Sequence, residues 1–557
     1  MLFKFKILFL CMIVSSLTLA QNIITVTDND ILPGQTYNMT ADNIYLLDGF
    51  VFVEEGSVLN IAEGTVIKGK ELPTNPENGA SALIIAQGGQ IFATGTAANP
   101  IIFTAESDDL SDPNDLTFSD RGLWGGVLLL GKASINTTSG VGQIEGIPST
   151  EPRGAYGGGS TPNDNDNSGT MTYVSIRHGG NEIGSGNEIN GLTFGAVGSA
   201  TTIEHIEVYA NLDDGYEWFG GTVNTKYLVA AFCGDDGMDY DEGWRGKNQF
   251  LFVIQDPADG GGRIGEHDGG TTPEDLQPFA IPVFYNATYI GAGSTATPQG
   301  DGAEALIFRD NAGGKYYNSI ITEYNGANGG RIVTVEDLAS GIDSRERLEQ
   351  GDLVLNNNIW WNFGAGTAIE NLIPQEFVRT YFTNPANNNQ IVDPQISSIS
   401  RTTDGNLDPR PNAYGPAGSG AITPTDPYFT TTTYYGAFDP NAPLWTNGWT
   451  ALSQTGVTSV NENQISDLIP ADFSLAQNFP NPFNPSTRIS FSLPESAVVK
   501  LSVYNILGQE IEVLVNGFRN AGTYEATWNA ENLSSGLYIY KLETNNVSIS
   551  KKMTLLK

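Results

Sequence analysis

Hydrophobic and polar positions alternate most regularly between Thr201 and Gly260, where short apolar runs each close on a polar turn. The text reads TTIEHIEVYANLDDG, then TKYLVAAFCGDDG, then NQFLFVIQDPADG. The closing pairs Asp214-Gly215, Asp236-Gly237 and Asp259-Gly260 lie 22 and 23 residues apart, and Asn190-Gly191 stands 24 residues before the first. His205, Tyr227 and Phe250 each precede the Asp of their pair by nine residues. Runs rich in Val, Ile, Tyr and Phe favour strand, and helical repeats are longer than this. A strand-and-turn unit of this length predicts an all-β chain built on a parallel β-helix.

The same grammar extends both ways. VFVEEGSVLNIAEGTVIKG (51–69) holds three short strands separated by Glu55-Gly56 and Glu63-Gly64, eight residues apart. Three such faces make a coil of about 24 residues, in keeping with the later period. ALIIAQGGQIFATGTAANPIIFTAE (82–106) repeats the pattern, and RGLWGGVLLLGKASIN (121–136) adds a buried strand. The polar stretches 107–116 and 149–169 are too rich in Gly, Pro, Asn and Asp for core and are expected to project as loops. Further strands are expected in VFYNATYIGAG, KYYNSIITEYNG and VLNNNIWWNFG, where Tyr316 precedes Asn325-Gly326 by nine. YYGAFDPNAPLWTNGWTAL (434–452) reads as an aromatic cap over the open end, which an edge-bearing solenoid requires. The solenoid is placed at 21–455 and a polar linker at 456–469. In 470–557, alternation in ISFSL, VKLSVYNI and YIYKL argues a small antiparallel sandwich.

Residues 1–20 combine Lys4 and Lys6, an apolar core and a small residue before Gln21. This is expected to be a secretory signal peptide, since the apolar run is shorter than the roughly 20 residues of a membrane span. Cys11 lacks the preceding small residues of a lipobox, and its removal leaves Cys233 alone, so no intramolecular disulfide is available. Cys233 lies in the apolar run LVAAFC and is expected in the core. Acids outnumber bases 63 to 27, a net charge of −36. Such a surface repels nucleic acid and attracts cations.

Four pieces carry the most specific resemblance in the chain: NFPNPFNPST (478–487), VYNILGQEI (503–511), SGLYIYKL (535–542) and the basic tail KKMTLLK. Residues 470–557 resemble a type A sorting domain of type IX secretion, with an immunoglobulin-like sandwich fold. The resemblance implies recognition by the outer-membrane export machinery of Bacteroidota-type bacteria, followed by release or surface anchoring. The opening coils resemble those of secreted bacterial right-handed β-helix proteins, and 404–421 their closing segment. The central region is similar to uncharacterised secreted proteins, which implies no particular activity.

Candidate chemistry gathers on the acidic ladder Asp213, Asp214, Asp235 and Asp236, with Asp239, Asp241 and Glu242 close behind. Coils stacked in register bring equivalent carboxylates about 4.8 Å apart, where like charges repel by about 0.9 kcal/mol even in water. Either the pairs serve only as turns bonded to nearby amides, or a cation neutralises them. Calcium suits all-oxygen ligands. A second calcium candidate is Asp164, Asp166 and Ser168, spaced as the first half of a calcium loop but with Ser175 where a ligating Glu would stand. Sugar rings stack on aromatic side chains, which marks Trp218, Tyr240 and Trp244 as glycan-binding candidates, although the same rings also fill solenoid cores.

An enzyme would use Asp214, Asp236 and Asp239 with Arg245 or Arg263. A glycosidase needs two carboxylates about 5–5.5 Å or 6.5–9.5 Å apart, and a lyase needs calcium and a basic residue. The order GDDG, GGRIG, Glu266-His267-Asp268 is loosely similar to polygalacturonase-like enzymes, but both of their basic motifs are broken here. His178, His205 and His267 lack metal-ligand spacing, and His205 occupies the aromatic slot of its coil. The expectation is a secreted or surface-displayed, calcium-stabilised β-helix acting in adhesion or glycan binding. A polysaccharide lyase or hydrolase, and a structural surface-layer component, are the alternatives.

Overall fold

The computed structural model describes residues 21–557 except 76–78, 113–114, 182–187, 259–260, 271–272, 297–301, 327–328, 459–461, 467–469, 471, 495–496, 520–521, 531–532 and 545–546. The expected signal peptide and the Asp259-Gly260 pair lie outside the described residues.

The chain winds into parallel coils whose strands stack in three columns. Strands Phe50–Val53, Val58–Ile61 and Val66–Gly69 place one strand on each column, as the eight-residue spacing predicts. In one column Phe50–Val53 is followed in register by Ala82–Ile85, Val127–Leu130, Leu192–Gly195, Tyr216–Phe219, Met238–Asp241, Gly265–His267, Glu304–Phe308 and Arg331–Val335. The other two columns merge into one sheet, because strands such as Thr202–Tyr209 and Asn224–Ala231 span both. Between the halves of each long strand one residue takes a left-handed conformation and turns the corner. This residue is Tyr173, His205, Tyr227 and Phe250 in successive coils, then Asn286, Asn318, Asn357 and Asn388.

The nine-residue offset therefore marks a real structural position. His205 stacks between Tyr173 and Tyr227 at 4.3 Å each, and Tyr227 on Phe250 at 4.9 Å. In the later coils asparagines replace the rings, with the Asn357 amide donating to Asn318 Oδ1 at 2.8 Å. Asn tolerates positive φ through short local hydrogen bonds. Tyr316 does not occupy this slot; it faces the core, and Asn318 takes the corner instead.

The last stacked strand is Gln390–Ile391. The short helices Ile369–Leu372 and Glu376–Phe382 cover the core at this end, with Leu372, Val378 and Phe382 buried in it. The aromatic segment 434–452 is not that cap. The chain runs back along the corner as a strap: Gly420 meets Asn357, Ile422 meets Asn318, and Tyr434 meets Asn286. Trp445 then packs edge-on against Tyr227, and Trp449 against Tyr173 and His205. The strap ends in the helix Ala451–Gln454, whose Ala451 and Leu452 amides donate to the buried carboxylate of Glu207.

The C-terminal part has a separate core. Two four-stranded antiparallel sheets enclose Ile489, Phe491, Trp528, Leu501, Tyr540 and Met553. Its first strand, Glu462–Ser466, pairs with Gly522–Asn529, so part of the expected linker belongs to this sandwich. No helix among the described residues is long and apolar enough to cross a membrane.

Candidate functional site

The column containing Tyr216–Phe219, Met238–Asp241 and Gly265–His267 alternates inward and outward as strands must. Tyr216, Trp218, Met238, Tyr240 and His267 point into the core. Their neighbours Glu217, Asp239 and Glu266 share one outward row, with Phe219, Asp241 and Asp268 on the next. Two residues before each strand, Asn190, Asp214, Asp236 and Arg263 continue the same stack. Arg263 thus stands in the rung that the spacing assigned to Asp259, because this coil is longer than those before it.

The glycines of the Asn-Gly and Asp-Gly pairs are needed for room rather than for left-handed turns. A Cβ on Gly215 would lie 2.8 Å from Ala230 Cβ and from the Gly237 carbonyl, and one on Gly237 would crowd Val253 and the Ile264 carbonyl. With the chain held this close, Asp214 Oδ1 accepts from the Asp236 amide at 2.8 Å, and Asp236 Oδ1 accepts from the Arg263 amide. Gly262 closes over the pair, since a Cβ there would collide with Oδ1 of both Asp235 and Asp236.

Two carboxylate triads result. Oxygens of Asp213, Asp214 and Asp235 lie within 4.8 Å of one another, and so do those of Asp214, Glu217 and Asp239. Two oxygens about 2.4 Å from a shared calcium ion are at most about twice that distance apart. Asp236 Oδ2, Asp239 Oδ1 and Asn190 Oδ1 are buried acceptors with no donor among the described residues, although Asn190 does donate its amide to Glu217. Buried oxygens without donors are costly unless something positive reaches them. The donor set, all oxygen and mostly anionic, fits calcium.

The electrostatics agree. Burial, reinforced by Glu188 and Asp235, pushes the Asp213 carboxyl up to about 8. Asp214, Asp236, Asp239 and Glu217 are driven well above the carboxylate range, by burial first and then by one another and by Glu266 and Asp268. Asp241 rises to about 7 and Asp268 to about 6, burial again leading. Arg263 bonds Glu266 and Glu304 at 3.1 Å each, and Arg309 grips Asp268 with two nitrogens at 2.7 and 3.0 Å.

Asp213, Asp214, Asp235, Asp236, Asp239 and Arg263 are therefore brought together. The remaining candidates are not. Arg245 turns away to Asp164 and Ser134 at 3.1 and 2.8 Å. Asp164 spends its other oxygen on Ser134, Asp166 accepts from the Lys132 amide, and the Ser168 amide donates to Thr201. Asp164 and Asp166 anchor a loop and join none of the converging acidic groups. Trp218, Tyr240 and Trp244 are each 0% exposed, so no sugar reaches them. Trp218 and Trp244 stack on each other at 4.3 Å and Tyr240 on His267 at 4.4 Å. Cys233 is buried, with its thiol pushed up to about 12 by burial. His267 is buried too, its pKa held down to about 3, with Nε2 2.7 Å from Tyr316 Oη. Glu217 and Arg309 were missed from the sequence, and Asn190, Glu266 and Asp268 stood out there only by spacing or order, not as members of the site; the period-two alternation in YEWF, MDYD and GEHD points the acids outward together.

Fold and site together define a β-helix solenoid with a carboxylate-lined sheet face. A family model for the pectate-lyase-like β-helix domain matches residues 34–390, and the chain belongs to that family. A model of the secretion-system C-terminal sorting domain matches residues 477–555, which makes this a secreted or surface-exported protein with the type IX machinery as partner. No curated protein and no solved structure matches the chain.

Proposed function

We propose that the carboxylate face holds calcium and that the ion-loaded face binds an acidic extracellular glycan, giving the exported protein a role in adhesion. The observation that carries this is the set of buried oxygens on Asp236, Asp239 and Asn190, without a donor among the described residues, beside two triads sharing Asp214. Without an ion the face repels anionic polymers; with one, a sugar carboxylate completes the coordination shell and meets Arg309 at the rim. Docking rather than proton abstraction is the role that suits Arg309, whose guanidinium is bonded to Asp268 and Glu266. A guanidinium held so firmly charged docks a carboxylate and does not accept a proton.

A second reading is a lyase or hydrolase working through Asp214, Asp236, Asp239 and Arg263. It is supported by carboxyl groups whose pKa values straddle neutrality, Asp268 near 6 and Asp213 near 8. The test is melting of the full chain in EDTA and in calcium, followed by incubation with acidic and neutral polysaccharides. Calcium about a hundredfold above its Kd should stabilise by about 2.7 kcal/mol, an effect lost in Asp214→Asn. Retention on an acidic polymer without new chain ends supports the binder. New reducing or unsaturated ends support the enzyme, and calcium stabilisation with no polymer bound leaves a structural surface component. No calcium effect refutes the proposal.

A further inference from the structure

The C-terminal sandwich carries an apolar surface that its own packing does not account for. Ile506, Leu507, Ile511 and Val513 are all exposed within eight residues of chain. The first two, 69% and 79% exposed, stand at the tip of the hairpin that joins Ala497–Tyr504 to Glu510–Arg519. The other two follow on Glu510–Arg519, an outer strand of its sheet, which among the described residues pairs only with Ala497–Tyr504.

The turn accounts for the residues at its two ends and not for those between them. Asn505 Oδ1 accepts from the amides of Leu507 at 2.9 Å and Gln509 at 3.1 Å, and its Nδ2 donates to Gln509 Oε1 at 2.8 Å. Gly508, at φ +79°, sends its amide to the Asn505 carbonyl at 3.0 Å. Asn at the first position and Gly at the last are what a type I turn selects, and small or polar residues usually fill the middle. Here the middle is Ile506-Leu507, held out into solvent by a turn that its neighbours fix. Large aliphatic side chains gathered on one surface mark a site of interaction, where singly scattered ones do not.

Charge sets this part of the chain apart as well. Residues 470–557 hold seven acids and seven bases, so the whole excess of negative charge lies upstream of them. A partner that meets the sandwich is not repelled by it, whereas a second copy of the chain would bring its own −36 along. We propose that Ile506 and Leu507, with Ile511 and Val513 beside them, are the surface by which the type IX export machinery docks this chain, through an apolar pocket on its receptor. The sorting-domain match, 477–555, spans the whole patch and names the partner. A turn held by its own hydrogen bonds presents both side chains with little left to order on binding. Asn505 is then a positioning residue, acting through the two it holds outward.

The test expresses the full chain in a host with type IX secretion and measures the fraction outside the outer membrane against the fraction retained. Ile506→Ser with Leu507→Ser should cut the exported fraction about tenfold, the drop that one lost apolar anchor brings to an affinity. The retained protein should melt as the parent does, because neither side chain is buried. Leu72→Ser removes an equally exposed leucine, 82% exposed, from the solenoid and should leave export unchanged. Asn505→Ala should reduce export, and Asn505→Asp, which keeps an oxygen for both amides, should restore most of it. Export of the double variant at the parent's level overturns the proposal; if that variant also loses a dimer that the parent forms, the patch serves a second copy instead. A double variant that melts well below the parent overturns it too, because the two residues are then packing groups of the sandwich.

Discussion

Trp218 and Trp244 show how one residue's orientation decides its role. Both rings lie inside the coil, stacked on each other, and neither indole nitrogen has a hydrogen-bond partner among the described residues. They are held by contact area alone. Trp218→Ala should therefore destabilise by about 3–5 kcal/mol, while Trp218→Phe, which forfeits no hydrogen bond, should cost clearly less; denaturant unfolding measures both. The outward residues beside them behave oppositely. Asp213 has a folded pKa near 8 against an ordinary value of 3.8. Below about pH 4 both folded and unfolded chains hold this proton and the group has no effect. As pH rises the unfolded chain ionises first, so the metal-free fold loses stability until about pH 8. Asp241, near 7, and Asp268, near 6, act in the same direction over narrower windows. In EDTA the melting temperature should fall from pH 4 to 8, and saturating calcium should flatten the slope. A metal-free protein whose stability rises over that interval would mean that these carboxyls are not desolvated as described.

Among the elements, the strap is the one the repeat pattern does not announce. Its aromatic content suggests a lid on the open end, because apolar residues beyond a solenoid have to cover something. They cover the corner instead, where the left-handed residues of eight coils leave side chains standing outward. The junction at its far end is electrostatic as well as apolar. Glu207 is fully buried, accepts from Ser175 Oγ at 2.6 Å and from two amides of the helix Ala451–Gln454, and faces Arg177. Arg177 in turn donates to Gln454 at 2.6 Å. Removing Glu207 leaves helix amides without an acceptor and a buried guanidinium without its charge partner. Glu207→Ala should cost about 3–5 kcal/mol. Limited proteolysis should show new cuts between 393 and 457 before any in the stacked strands. If the strands are cut first, the strap is not the element that Glu207 secures.

On the scale of the whole molecule, the sequence was legible where coils repeat without insertion and obscure where they do not. From Asn190 to Ile254 every coil has nearly the same length, so the period, the aromatic slot and the Asp-Gly rungs could be read directly. The next coil is longer, and the spacing pointed to Asp259 where the register places Arg263. That shift put Arg263, named as a candidate for its charge alone, in the rung expected for Asp259, while Arg309, at the end of the next strand in the column, was not singled out. Facing was lost for a different reason. The rows Glu217–Asp239–Glu266 and Trp218–Tyr240–His267 differ by one residue, and a one-residue slip exchanges core and surface. The C-terminal sandwich was legible from its motifs, and its separate core makes a distinct claim. Among the described residues the solenoid and the sandwich share no sheet, so each should unfold as its own cooperative unit. Ending the chain at residue 458 should remove one calorimetric transition and leave the calcium-dependent transition of the solenoid in place. In a host with type IX secretion the same truncation should leave the protein inside the outer membrane, still folded and still responsive to calcium. Loss of the calcium-dependent transition on truncation would show instead that the sandwich is part of the solenoid's folding unit, and export and stability could not then be treated as separate properties of the chain.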